Sequence, residues 1–349
     1  MPTVQADPLM ALVRGIYEAA GTPSEDAEVV TRHQVGANLA GHDSHGVVLL
    51  PTYIDRIKRG HIVPKARYEI VEETSTTARI EGNWGFGQVV TEAAMRLCID
   101  KAKANRIAAV TVIHQSHVGR LGDYPLMASR EGLVGFICCD SGQSPKAVAP
   151  FGGREARLGT NPLSMSFPSD LEAPILIDMA TSAVAAGKLN VARARGKSIP
   201  FGWLLDAEGR PTDDPTAQQK GGVMLPLGGP EGHKGYALSF LVETLSAVLP
   251  GLGFGIDPQG RHNDGAFLFA FDVNAFSPLE KFKKDVGDFA RYLKETPPAE
   301  GFSEVLYPGE IEYRTEQRLR REGIPIEDST WQRIGGIARG YGIENLIPS

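Results

Sequence analysis

Two short apolar runs, Ile107–Ile113 and Leu133–Cys139, each flanked by helical sequence, constrain this chain more than any other feature. A strand that is apolar at nearly every position has no solvent side. These runs therefore predict a sheet covered by helices on both faces. The covering helices read as Gln88–Asn105 and Gly119–Glu131. At about seven residues the runs fall far short of the ~20 that a membrane-spanning helix needs. The first sixty residues read as three helices: a run from Asp7-Pro8 to Ala20, one capped at Thr22-Pro23-Ser24 and reaching Ala40, and one from Ser44 to Arg59 bent by Pro51. Tyr68–Glu73 and Thr77–Glu81 read as strands. Residues 145–230 are rich in glycine and proline, with short strands at Leu163–Phe167 and Ile175–Asp178 and a helix near Ala183–Arg195. A helix at Tyr236–Leu249 and a strand at Ala266–Asp272 follow, and the end is charged and helical over Leu279–Glu295, Ile311–Glu322 and Ser329–Tyr341.

Composition narrows the function classes. With 36 basic and 42 acidic side chains the 349 residues carry a net charge of −6, without a long basic run. That balance argues against a nucleic-acid or anionic-membrane partner. The opening MPTVQADPLM has neither the basic nor the apolar segment of a signal peptide. Cys98, Cys138 and Cys139 are too few for a disulfide framework and read as buried reduced thiols, so the expected compartment is the cytoplasm. The 40 glycines and 24 prolines lack any repeat and so mark turns, where sites are built.

The common nucleotide signatures are missing. Gly85-Phe86-Gly87 is followed by Val90 where a dinucleotide fingerprint needs its third glycine, and Lys234 precedes Gly235 rather than the Ser or Thr of a P-loop. Four stretches still carry chemistry. Gly41–Gly46 includes Ser44 as a candidate helix cap and His45 on the first turn, a neutral proton partner or simply a satisfied histidine. His114–Arg120 follows a buried strand, the preferred ligand position in α/β sheets, and pairs His117 with a cation. His114 and His117 lack the further ligands of a metal site, so no metal is expected. Asp178 ends a strand before Thr181-Ser182, as a site residue or as a cap for the next helix. Residues 225–235 run glycine-rich into a helix with His233 and Lys234, reading either as a phosphate site or as a flexible capping loop.

In this order the motifs resemble the malate/L-lactate dehydrogenase family, the NAD(P)-dependent group distinct from Rossmann-type lactate dehydrogenases. The series is Ser44-His45-Gly46 with Pro51 and Tyr53, Ser116-His117-Val118-Gly119, Leu158-Gly159-Thr160-Asn161-Pro162, Asp178-Met179-Ala180-Thr181-Ser182, Leu225-Pro226-Leu227-Gly228 with Lys234-Gly235-Tyr236, and Pro308-Gly309-Glu310. The Gly41–Gly46 block, Gly119-Arg120-Leu121-Gly122 and Gly323-Ile324-Pro325 are most similar to the hydroxycarboxylate dehydrogenase B branch. The resemblance implies a three-layer α/β fold with a mixed seven-stranded sheet, a helical region formed by both termini, and a homodimer. The expected division is residues 1–66 with 275–349 as the helical, dimer-forming and substrate-side region, and 67–274 as the α/β region with the dinucleotide loops. It also implies interconversion of 2-hydroxy and 2-oxo acids by hydride transfer, with NAD as cofactor and NADP left open. His117 is then the proton donor and acceptor, with His45 and Ser44 at the substrate. Tyr53 and Arg120 bind substrate. Cofactor contacts fall to Ser141, Asp178, Met179, Ala180, His233, Lys234, Gly309 and Glu310. Where many members carry an arginine, four residues past the Ser-His-Gly histidine, this chain has Leu49. Arg120 is the expected replacement as carboxylate clamp, with a more apolar pocket at Leu49. Two alternatives stay open: reduction of a cyclic imine such as piperideine- or pyrroline-2-carboxylate, and a catalytically silent nucleotide-binding protein.

Overall fold

The computed structural model describes residues 1–140, 145–194, 196–256, 261 and 263–348. Its centre is a mixed seven-stranded sheet in the order β2 (Glu69–Glu73), β3 (Thr77–Glu81), β4 (Ile107–Ile113), β11 (Gly265–Asp272), β5 (Leu133–Asp140), β6 (Leu163–Phe167) and β7 (Ile175–Met179). Only β3 and β4 pair in parallel; the other neighbours are antiparallel. The two apolar runs thus do not touch. β11 lies between them, with Ala266 opposite both Val112 and Cys139.

Strand alternation gives this sheet two different faces. Val110, Val112, Ile137 and Leu268 are buried beneath α4 (Gly87–Asn105) and α5 (Asp123–Arg130). The opposite face carries Phe136, Phe267, Phe269 and Phe271, all half-buried, with Phe136 and Phe269 stacked at 4.8 Å. Part of that face is covered by α7 (His233–Glu243) and the wider helical turn of Thr244–Val248 that continues it. The adjacent thiols of Cys138 and Cys139 point to opposite faces, and all three cysteines are buried and unpaired.

Both ends of the chain build a second core. β1 (Thr3–Val4) pairs with β12 (Ile324–Pro325). Leu9, Leu12, Tyr17, Leu50 and Ile334 pack α1 (Ala6–Ala19), α2 (Ser24–Leu39), α3 (Leu50–Lys58) and α10 (Asp328–Gly340) together. α9 (Glu310–Glu322) lies against α2, while α8 (Leu279–Lys294) is tied to the central region through Arg291 and Asp170. A third core, of Val148, Leu158, Leu189, Leu204 and Met224, holds α6 (Ala186–Ala194) with the small sheet of β8 (Leu204–Leu205), β9 (Pro211–Thr212) and β10 (Val223–Met224). Among the described residues, no helix is long and apolar enough to cross a membrane.

Three expected elements differ. The helix from Ser44 is replaced by two single 3₁₀ turns, Asp43–His45 and Val47–Leu49, before α3 begins at Leu50. Pro51 therefore opens α3, where its missing N–H is harmless, instead of bending it. Nor does Ser44 cap: the Asn38 side chain at the end of α2 accepts from the Val47 N–H at 2.9 Å. α5 starts at Asp123 rather than Gly119, because residues 114–122 form an irregular loop. α7 starts at His233, three residues before Tyr236.

The approach of α5 to β5 depends on Gly135. A Cβ there would lie 2.7 Å from Ala128 Cβ and 3.0 Å from the Pro125 backbone. Gly135→Ala is expected to cost about 1–3 kcal/mol, read as a lowered Tm in thermal unfolding; an unchanged Tm would show that this packing tolerates the methyl group.

Candidate active site

The loop after β4 is held against its neighbours by backbone contacts. Ser116 N–H donates to Gly85 O at 3.0 Å, Asp264 N–H to Gln115 O at 3.1 Å, and Val118 N–H to Asp264 Oδ2 at 3.0 Å. The first residue of α4 must be glycine, since a Cβ on Gly87 would sit 2.2 Å from Ser116 O and 2.5 Å from His117 O. The Gly85-Phe86-Gly87 run thus lets a helix start against the His117 loop instead of against a phosphate. His114 has a left-handed φ of 52° and turns its ring to Glu81 at 2.7 Å and to Trp84, away from any shared ligand set with His117. Among the described residues, no group of three or more His, Cys, Asp or Glu side chains gathers as a metal site would.

His117 meets the residues expected beside it. Its Nδ1 is 2.6 Å from the Tyr53 hydroxyl and 3.3 Å from the Gly119 N–H. Gln88 Nε2 donates to Tyr53 Oη at 2.9 Å. Tyr53 and Gln88 are both buried, and burial pushes the Tyr53 phenol above its ordinary range, so it remains a neutral donor. The direction of this chain selects the imidazole tautomer. Donation from Gln88 through Tyr53 to Nδ1 leaves the ring proton on Nε2. Gln88 Oε1 is buried with no partner among the described residues. Turning the amide end for end gives Oε1 the Tyr53 hydroxyl and lets the ring proton sit on Nδ1 in place of the Gly119 N–H contact, which makes Nε2 the basic nitrogen.

The His45 ring stacks on His117 with centroids 5.6 Å apart and planes 20° apart, and its Nδ1 is 3.0 Å from Ser44 Oγ. Burial, aided by the neighbouring His42, lowers the His45 pKa to about 4, so at neutral pH it is an uncharged hydrogen-bond partner. Leu49 packs against the terminal core.

Arg120 is buried between two carboxylates. Nη1 reaches Asp123 Oδ1 at 3.1 Å and Nε lies 3.5 Å from Asp178 Oδ2, which also accepts the Gly122 N–H at 3.0 Å. Burial raises the Asp178 pKa while Arg120 opposes the rise. Asp178 is accordingly not the cap of α6; its carboxylate faces the His117 loop. Arg120 also lines a cleft of about 390 Å³ with Leu176, Gly309, Glu312 and Tyr313. Met179 closes β7 opposite Leu163, and Ala180 leads into a segment zipped to residues 225–227 by hydrogen bonds from Ala183 to Leu225 and from Leu227 to Thr181.

Other expected residues stand apart from this cluster. His233 and Lys234 are exposed beside Glu231, and His233 sits edge-on to Phe151 at a second cleft of about 450 Å³. Glu310 is buried, its carboxylate taken by Lys294 at 2.7 Å and by Arg314. Ser141 lies outside the described residues. Sequence reasoning missed Gln88, Asp123 and Asp264; none belongs to a motif, and only the folded loop brings them to His117 and Arg120.

Residues 4–335 match the family described as malate/L-lactate dehydrogenase. The chain belongs to that family. The L-sulfolactate dehydrogenase of Methanothermobacter thermautotrophicus is 38% identical over 95% of each chain. Hydroxycarboxylate dehydrogenase B of Escherichia coli is 34% identical over 97% of this chain and 94% of its own. The solved malate dehydrogenase of Entamoeba histolytica superposes with a TM-score of 0.92, at 34% identity and 98% coverage of both chains. The δ1-piperideine-2-carboxylate reductase of Pseudomonas syringae superposes at 0.85 and 30% identity, covering 97% of this chain and 100% of its own. The malate/L-lactate dehydrogenase fold thus comes with a mixed sheet and a helical region formed by both termini, as the motif series implied.

A pH dependence of stability follows from His45 in this member of the family. Folded His45 titrates near 4 and the unfolded ring near the ordinary 6.5, so between these values only the unfolded chain takes up the proton. Stability is expected to fall as pH drops from 6.5 toward 4. His45→Asn should flatten that slope in denaturant unfolding at several pH values. An equal slope in the variant would locate the acid sensitivity elsewhere.

Proposed function

We propose that this chain interconverts 2-oxo and 2-hydroxy acids with a nicotinamide dinucleotide, NAD or NADP, and that His117 exchanges the proton at the substrate oxygen. The observation that carries this reading is the His117 ring, anchored through Nδ1 by Tyr53 and Gln88 and stacked on a neutral His45. Nδ1 is held by Tyr53, and we assign Nε2 to the exchange with the substrate oxygen. In reduction, imidazolium Nε2–H protonates the developing alkoxide; in oxidation the neutral Nδ1–H tautomer removes the hydroxyl proton. Ser44 and His45 offer neutral hydrogen bonds to the same substrate. Arg120 receives its carboxylate, which fixes the reacting carbon in one orientation.

The cleft beside Arg120 suits part of the cofactor. Its volume lies within the ordinary range of ligand pockets, and it joins Arg120 to acceptors on Glu312 and Tyr313 with Gly309 at its edge. The acidic and phenolic groups of Glu312 and Tyr313 fit ribose hydroxyls. A bound nicotinamide would supply the hydride. Met179, Ala180, His233, Lys234, Gly309 and Ser141 are the remaining contacts we assign to the dinucleotide. Because its carboxylate is held by Lys294 and Arg314, Glu310 shapes the start of α9 instead of reaching a ribose.

The assembly we propose is a homodimer, supported by the exposed apolar side chains of Phe240, Leu241, Val248, Leu249 and Phe254 on and after α7. Three buried free thiols support a reducing, cytoplasmic setting. The piperideine-2-carboxylate reductase among the structural relatives favours cyclic imine reduction as the second reading, because the hydride geometry is shared. Comparing a cyclic imine with straight-chain 2-oxo acids as substrates separates the two.

His117→Ala is expected to lower turnover by roughly 10²–10⁴ while leaving cofactor Kd nearly unchanged; full activity would contradict the assignment. Arg120→Met is expected to raise KM for 2-oxo acids at least about tenfold. An unchanged KM would remove Arg120 from the substrate site.

A further inference from the structure

Behind Arg120 lies a buried histidine that the proton chemistry does not use. His33, on α2, is only 3% exposed. Both of its ring nitrogens face carboxylates: Nδ1 is 3.0 Å from Asp123 Oδ2 and Nε2 is 2.9 Å from Glu92 Oε2. Carboxylates only accept, and an imidazole has two N–H donors only when it is protonated. The geometry therefore asks for an imidazolium. Its ring also stacks on Tyr124, with centroids 5.1 Å apart.

The contacts continue in both directions. Glu92 takes two bonds from Arg32, at 2.7 and 2.9 Å. Asp123 uses its second oxygen for Arg120, whose other side meets Asp178. Arg32, Glu92, His33, Asp123, Arg120 and Asp178 thus alternate in charge from the α2 surface to the cleft. With His33 protonated, three cations match three carboxylates. With His33 neutral, the chain carries one uncompensated negative charge next to the group that would receive an anion.

We propose that His33 is a positioning residue: a buried imidazolium that competes with Arg120 for Asp123 and so keeps the Arg120 charge available to the substrate carboxylate. This rests on the reading of Arg120 as that carboxylate's partner. The groups facing His33 come from two neighbouring elements and its own helix. Glu92 on α4 and Asp123 on α5 bond to it, Tyr124 on α5 stacks on it, and Arg32 on its own helix anchors Glu92. Burial alone would lower the His33 pKa, but the bonds to Asp123 and Glu92 outweigh it and hold the pKa above its ordinary value. Burial would likewise raise the Glu92 carboxyl, yet the bonds from His33 and Arg32 bring it down to about 2. The Asp123 carboxyl is likewise lowered against its burial by the bond from His33 and by the Arg120 charge, so neither carboxyl is available to replace the proton on the ring. The sign follows: the cluster is balanced below the His33 pKa and turns negative above it, so KM for an anionic substrate rises with pH.

The test is steady-state kinetics of His33→Gln on the intact enzyme, with a 2-oxo acid, across neutral to alkaline pH. At neutral pH the expected result is a KM raised about tenfold, from the lost unit charge at this range, with kcat within about twofold. The alkaline rise of KM expected of the parent enzyme should be absent. Cofactor Kd should stay unchanged, which a merely unfolded variant would not allow. A parent-like KM and pH profile in His33→Gln, alongside a raised KM in Arg120→Met, would overturn this proposal while leaving Arg120 in place. An unchanged KM in both variants would overturn the Arg120 reading as well. Should His33→Gln fail to fold, imidazole ¹⁵N shifts of the parent protein decide: both His33 nitrogens protonated at neutral pH supports the proposal, and a neutral ring there overturns it.

Discussion

The site depends on one strand arriving from far along the chain. β11 runs antiparallel between β4 and β5, so the residue before it, Asp264, lands beside the end of β4. Asp264 then pairs through its backbone with Gln115 and through its carboxylate with the Val118 N–H. Those bonds bracket His117 on both sides. From the other direction Gly87 and Gly85 press α4 against the same loop. An irregular loop of this length would otherwise be mobile, and a proton-transferring ring has to be held within a fraction of an ångström. The central sheet acts here as a clamp on residues 114–122.

Around that loop the protein controls charge by hydrogen bonding more than by exposure. His45 is kept neutral by burial and His117 is anchored by a neutral tyrosine, while His33 is held between two carboxylates. The three rings meet three different needs. In the proposed reaction one is an uncharged contact, one a group that gains and loses a proton, and one a fixed cation that balances the carboxylates around Arg120.

Much of this was legible in the sequence, and the boundary is physical. Ile107–Ile113 and Leu163–Phe167 were readable to the residue, because an unbroken apolar run between helices or strict alternation leaves a local pattern. The motif series carried the family and brought Tyr53, His117, His45 and Arg120 into one neighbourhood. The break at residues 43–49 was not legible. It depends on Asn38, whose side chain replaces Ser44 as the partner of an orphan N–H, and the sequence offers no sign of which polar side chain wins. Gln88 and His33 were also invisible. Each reads as an ordinary helix residue until packing supplies Tyr53 to one and Asp123 to the other. The insertion of β11 is a pairing of strands more than a hundred residues apart, which local periodicity does not encode.

The central claim is that this geometry moves a hydride between a nicotinamide and the carbon bearing the substrate oxygen, with proton exchange at His117. The most direct measurement is the fate of deuterium from NADH or NADPH deuterated at the transferable position, supplied with pyruvate, oxaloacetate, hydroxypyruvate, glyoxylate, phenylpyruvate or a cyclic imine. The account predicts that at least one straight-chain 2-oxo acid yields a 2-hydroxy acid carrying the deuterium on its second carbon. Recovery of every oxo acid unlabelled and unreduced would contradict it, and label appearing only in the cyclic imine's product would hand the site to the imine reading.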